Sequence, residues 1–280
     1  MRITIAQLEN RPEVGENLRA IREAIAAAGR ARADLVVLPE AAMLAFGAGR
    51  LDRVAEDLDG PFATAVGEAA EAAGLVAVAG MFRPADEVLV EGRRLRRVHN
   101  TALVTGAGLH TGYDKIRLFD AFGFRESDTV APGAERLIVD VPVREGERDT
   151  VRLGLGVCFD IRFPEHFTAL AAEGAEVIAL PTSWNDGPGK LGQWRTLTAA
   201  RALDATCALV AVDAARPGGA AAAGAAEGPT GIGHSALIAP DGRRIVEAGY
   251  DPQLLTADLD LGELDRVRRE IPVLAIREGN

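Results

Sequence analysis

Only two cysteines, Cys158 and Cys207, occur in 280 residues, which excludes a disulfide framework. Free thiols suit a reducing compartment, so a cytoplasmic location is expected. Positive charge is also in short supply: 31 Lys and Arg face 41 Asp and Glu, a net charge of -10. That balance argues against nucleic acid or anionic membrane as a partner, since both need a basic surface. The one basic cluster, Arg93, Arg94, Arg96 and Arg97 around Leu95, follows the turn Glu91-Gly92 and reads as a solvated hairpin. No apolar run is long enough to span a membrane. Residues 1–7 alternate like a strand and do not form the apolar core of a signal peptide. The four histidines, His99, His110, His166 and His234, share no ligand spacing with the cysteines, so no metal is expected. Aromatics make up 5% of the chain, which leaves the core to small and branched aliphatics.

What is present is an alternation of strand and helix signals. Residues 2–7 read as a strand and 14–31 as an amphipathic helix, with Val14, Leu18, Ile21 and Ile25 three or four apart. A buried strand over 35–38 stops at Pro39-Glu40, and Pro61 opens a helix that ends near Gly74. The strand 75–82 is followed by hairpin turns at Glu91-Gly92 and Gly106-Ala107-Gly108. The second half repeats this style. Strands are expected at 151–157, 176–180 and 208–212, with helices from Pro164 and over 191–206. A hairpin at 235–239 and 243–248 and a last strand at 255–259 complete the pattern. Hairpins mixed with strand–helix units predict two mixed sheets sandwiched by helices. No linker divides residues 1–280, so a single domain is expected. The Ala/Gly-rich segment 214–231 reads as a mobile surface loop or lid.

Three strand ends carry chemistry. Cys158 ends the strand Leu153-Gly154-Leu155-Gly156-Val157, just before a helix start, a corner that exposes a reactive side chain in layered folds. Glu40 follows four apolar residues and Pro39, which places a carboxyl at the rim of a sheet. Lys115 stands between Tyr113-Asp114 and Ile116-Arg117-Leu118-Phe119-Asp120. No histidine lies in a motif that would make it the base; only His166 and His234 flank turn-marked corners. An acid, an amine and a thiol suffice for acyl transfer. A free thiol titrates near about 8.5 and a glutamate near about 4.3. Burial raises the carboxyl and a nearby lysine lowers the thiol, which brings a proton exchange between them within reach. A lysine also stabilises an oxyanion, and losing such a donor costs about 2.7–4 kcal/mol. Taken singly, each residue also has a structural reading: a small buried hydrophobe, a capping or salt-bridging carboxylate, and a solvated turn lysine.

The blocks Leu38-Pro39-Glu40, 113–120 and 156–165 together resemble the nitrilase, or carbon–nitrogen hydrolase, superfamily, whose Glu-Lys-Cys triad runs in this chain order. Asn100-Thr101-Ala102, Pro181-Thr182-Ser183-Trp184, Arg201-Ala202-Leu203-Asp204 and Gly233-His234-Ser235 agree with it, over roughly residues 2 to 260. The resemblance implies a four-layer αββα sandwich that needs no cofactor or metal and pairs into a homodimer or higher homo-oligomer. By the same resemblance Glu40 is the general base and acid, Cys158 the nucleophile that becomes a thioester, and Lys115 with the Phe159 amide the oxyanion site. Glu126, in Phe124-Arg125-Glu126-Ser127, would position substrate or Lys115. Ser183, Trp184 and Asn185 fall where superfamily pockets meet substrate, although Trp184 also fits a core or lid anchor.

The run Cys-Phe-Asp-Ile-Arg-Phe-Pro-Glu is similar to the Nit-type amidase branch and points to the amide of a small acid, with a carboxylate-bearing one in view. Arg117, where that branch usually has histidine, and Ala205 after Asp204 depart from it. Arg162 suits either a substrate carboxylate or, more readily, a structural salt bridge behind the nucleophile. The expected activity is hydrolysis of a small linear amide to ammonia and an acid. N-carbamoyl-amide or nitrile hydrolysis on the same triad is the first alternative, and a catalytically silent scaffold the second.

Overall fold

Helices α1 (Val14–Arg30) and α2 (Pro61–Ala73) each bury one face, Ile21, Ala24, Ile25 and Ala28 on the first and Phe62, Val66 and Ala70 on the second. Pro61 supplies the fixed φ of a first helical turn, and Gly74, at φ 65°, ends α2 in the left-handed region. They lie among the strands β1 (Arg2–Gln7), β2 (Leu35–Val37), β3 (Val76–Val90), β4 (Arg93–Gly106) and β5 (Leu109–Asp114). A two-stranded ribbon follows, β6 (Asp120–Ala121) with β7 (Phe124–Arg125). Then come β8 (Ile138–Pro142), β9 (Thr150–Leu155), α3 (Pro164–Ala172), β10 (Val177–Thr182), α4 (Lys190–Ala205) and β11 (Ala208–Asp213). The chain finishes with β12 (Ala236–Ile238), β13 (Arg244–Glu247), β14 (Gln253–Asp258), α5 (Leu261–Glu270) and α6 (Val273–Glu278). The computed structural model describes residues 1–278 apart from 91, 122, 147, 226 and 227.

Two six-stranded mixed sheets result, in the orders β14-β1-β2-β3-β4-β5 and β13-β12-β11-β10-β9-β8. Each has three parallel strands at its centre, β1, β2 and β3 in one and β9, β10 and β11 in the other, flanked by antiparallel neighbours. Alternation along the strands sorts the core. Leu35, Val37, Val76 and Val78 meet Leu153, Leu155, Val177 and Val210 between the sheets. Val36 and Ala77 turn outward onto α1 and α2, while Ile178 and Leu209 turn outward onto α3 and α4. Each buried Val, Leu or Ile among them contributes roughly 1.5–3 kcal/mol. The layers are therefore helix, sheet, sheet, helix, the αββα sandwich.

Several elements lie beyond the sequence reading. The strand expected over 75–82 runs on to Val90, because β3 and β4 stay paired in an arm outside the sheet. There Arg97 pairs with Asp86, and Arg94 and Arg96 pair with Glu87, which makes these three arginines one side of an ion-paired hairpin. Strand β8 and helices α5 and α6 were not foreseen, since short half-exposed segments give a weak periodic signal. In the segment 214–231, Arg216 is fully buried and its Nε donates to Asp186 Oδ2 at 2.9 Å. No helix among the described residues is long and apolar enough to cross a membrane.

Candidate active site

Parallel strands deliver Glu40 and Cys158 at their carboxyl ends, where open α/β sheets form clefts, and the antiparallel edge strand β5 delivers Lys115. Glu40 lies just beyond β2. Its strand end passes so close to β3 that a Cβ on Gly80 would stand 2.4 Å from the Ala41 amide nitrogen, and only glycine fits there. Gly80 N in turn donates to Pro39 O at 3.1 Å. Cys158 stands beyond β9 at φ 45°, an uncommon conformation for a residue with a Cβ. Asp160 holds that corner. Its carboxylate accepts from Val157 N at 2.9 Å, Arg117 N at 3.0 Å and the Tyr113 hydroxyl at 2.8 Å. Lys115 follows β5, with its amide bonded to Asn100 O at 2.9 Å.

These ends converge on one buried network. Lys115 Nζ donates to Glu40 Oε1 at 3.2 Å and to both oxygens of Glu126 at 2.9 and 3.0 Å. Asn100 Nδ2 donates to Glu40 Oε1 at 2.8 Å, and Ser183 N to Glu40 Oε2 at 2.8 Å. Glu126 Oε2 also accepts from Phe119 N at 2.6 Å. Burial raises the Glu40 carboxyl above the ordinary glutamate range, against the opposing pull of Lys115. For Lys115, burial favours the neutral amine, but Glu126 and Glu40 outweigh it and keep the ammonium charged. The Cys158 thiol is pushed well up, by burial first and by the Glu40 charge second. The Lys115 cation lowers the thiol, as expected, but burial and Glu40 prevail.

The sequence-selected residues line one cavity of about 340 Å³, whose walls include Glu40, Lys115, Glu126, Cys158, Phe159 and Trp184. Ser183 lines it too, yet its Oγ donates to Pro229 O at 2.8 Å, which ties the 214–231 segment to the pocket. Trp184 serves both readings made of it, packing on Trp194 with ring centroids 5.6 Å apart while forming part of the wall. Arg162 was assigned more readily to a structural salt bridge, which the geometry corrects. It is exposed at the cavity, donates to Gln193 Oε1 at 2.9 Å and stacks over Trp184 at 5.2 Å. It has no ion pair among the described residues, because the neighbouring Asp160 is already spent on the corner. Lys190 brings a second cation to the same wall.

Asp213 escaped the sequence reading, although it carries the same signal as Glu40, an acid directly after an apolar strand. Its two oxygens accept from Trp184 N and Ile232 N, both at 2.7 Å, so the Ser183-Trp184 link is held between two buried carboxyls. Burial, against those amides, pushes Asp213 up to about 8 from 3.8. A raised carboxyl keeps its proton in the folded state, so its stabilising contribution is complete below about pH 4 and is lost as pH rises to about 8. Asp213→Asn removes this titration. Its melting temperature should therefore fall less between pH 5 and 9 than that of the parent, and an equal fall in both would refute the assignment.

An αββα sandwich with a carboxylate, an ammonium and a thiol gathered at one rim defines a class of hydrolases, and comparison with known proteins places the chain within it. Residues 2–269 match the carbon-nitrogen hydrolase family model, and the chain belongs to that family. It is 44% identical to a protein described as a hydrolase in Mycobacterium tuberculosis, over 98% of this chain and 94% of the relative. It is 27% identical to an omega-amidase of Xenopus laevis, over 100% of this chain and 95% of the relative. Among solved structures, a cysteine-to-alanine mutant of the Nesterenkonia AN1 amidase superposes with a TM-score of 0.72 at 26% identity, covering 97% of this chain and 95% of that one.

Proposed function

We propose that this carbon–nitrogen hydrolase cleaves the amide of a small carboxylic acid through a thioester on Cys158. The observation that carries the reading is the meeting of buried Glu40 and Lys115 with half-buried Cys158 in the lining of one cavity. Sγ attacks the amide carbon while its proton passes to Glu40, since the raised thiol is not a free thiolate at neutral pH. Negative charge developing on the carbonyl oxygen is met by Lys115 Nζ and the Phe159 amide. Glu40 returns the proton to the departing nitrogen, the C–N bond breaks and ammonia leaves. Water then gives a proton to Glu40 and attacks the thioester carbon. The C–S bond breaks, the acid is released, and the proton goes back to sulfur. Glu126 keeps Lys115 charged and aimed throughout.

Amidases among the relatives support amide hydrolysis in preference to its rivals, and Arg162, exposed at the cavity, favours an acyl group that bears a carboxylate. A panel of succinamate-like amides, N-carbamoyl amino acids and nitriles, read for ammonia and carbon dioxide, tests the reading. Ammonia without carbon dioxide, with the highest kcat/KM for amides, is the expected result. Carbon dioxide release, or a preference for nitriles, would move the function to the rival chemistry. Silence across the panel would favour a non-catalytic scaffold.

A further inference from the structure

The cavity has a side that ammonia chemistry does not use. Phe159, the residue after the nucleophile, packs edge-on against Phe119 with centroids 5.1 Å apart, and Phe119 packs against Phe124 at 6.3 Å. These three rings form a continuous ladder from the nucleophile to the rim, where Phe124 is 51% exposed on the β6–β7 ribbon. Phe46, Leu51 and Val130 line the cavity as well. An exposed phenylalanine is unremarkable alone, but one that continues an apolar wall into a reactive pocket marks a binding surface. A short acid amide held at Lys115 and Cys158 would leave most of that wall facing water.

We infer that the acyl group of the substrate, besides any carboxylate met by Arg162, carries an aryl or medium-length alkyl arm that lies along Phe159, Phe119 and Phe124. Turnover of such amides rests on the amidase reading given above; occupation of the wall does not. The arm covers the Phe124 ring at the rim and leaves the thioester carbon open to the attacking water. Each buried methylene should raise kcat/KM roughly fourfold, and an aryl group gains further from edge-to-face contact with the ladder.

The experiment compares propanamide, hexanamide and 3-phenylpropanamide by ammonia release, with parent and Phe124→Ala proteins. Expected is a kcat/KM at least about tenfold higher for 3-phenylpropanamide than for propanamide in the parent, with that ratio cut about tenfold in the variant. A flat series, a preference for propanamide, or an unchanged ratio in Phe124→Ala would overturn the inference. In parallel, 3-phenylpropanoate and propanoate are compared as protectants of Cys158 against iodoacetamide, read by mass spectrometry of the labelled peptide. The aryl acid should protect at a concentration at least about tenfold lower, and equal protection would overturn the inference. If no amide is turned over, the amidase reading falls and the protection assay alone decides whether the wall binds an apolar arm.

Discussion

Cys158→Ala should lose turnover by four to six orders of magnitude, on the order seen when an enzyme's covalent nucleophile is removed. No second thiol can take over: Cys207 is buried beside Ala175 O and Arg268, and burial pushes it up to about 11. The fold should survive the change. Alanine keeps the Cβ, and the corner is fixed by the bonds that Asp160 makes to Val157, Arg117 and Tyr113, not by sulfur. Ammonia release measured beside circular dichroism and thermal melting checks both halves. Activity above about 1% of the parent in a correctly folded variant would end the thioester mechanism.

Glu40→Gln is expected to cost about 10²–10⁴-fold in kcat, the range for a positioned general base. Its pH signature is more telling than its size. Because burial holds Glu40 above the ordinary carboxylate range, the parent's activity should rise with pH through that displaced titration, as the protonated acid cannot accept the thiol proton. The ascending limb should therefore sit closer to neutrality than for an exposed glutamate, and it should vanish from the residual activity of Glu40→Gln. Glutamine still offers an oxygen to Lys115 and Asn100, so a lost limb would reflect the proton and not a collapsed site. A pH profile with the same limb in both proteins would assign the titration to another group.

Much of the fold was legible because its signals are local. Pro61 and Gly74 bracket α2 by backbone geometry alone, and the spacing of Ile21 and Ile25 declares the buried face of α1. Glu40 and Cys158 were legible for a related reason, a carboxyl or thiol placed after an apolar strand, whereas Lys115 follows the mixed strand Leu109–Asp114 and was picked out with them by the resemblance of the three blocks. Asp213 shows the limit of that signal, since the same pattern there supports two backbone amides. Arg162 shows another, because which acid or ring a guanidinium meets depends on residues 22 and 31 positions further along, Trp184 and Gln193.

By itself the sequence determined the element types and the layered class, because periodicity and turn residues are properties of neighbouring positions, and it marked Glu40, Lys115 and Cys158 as a set through three blocks that resemble one family. Only the tertiary structure decided that Glu40 and Glu126 share one lysine, that burial outweighs that lysine at the thiol, and that three phenylalanines line the way in. Those outcomes depend on distances between residues far apart in the chain and on how much water the folded layers exclude, and neither is written in any single segment.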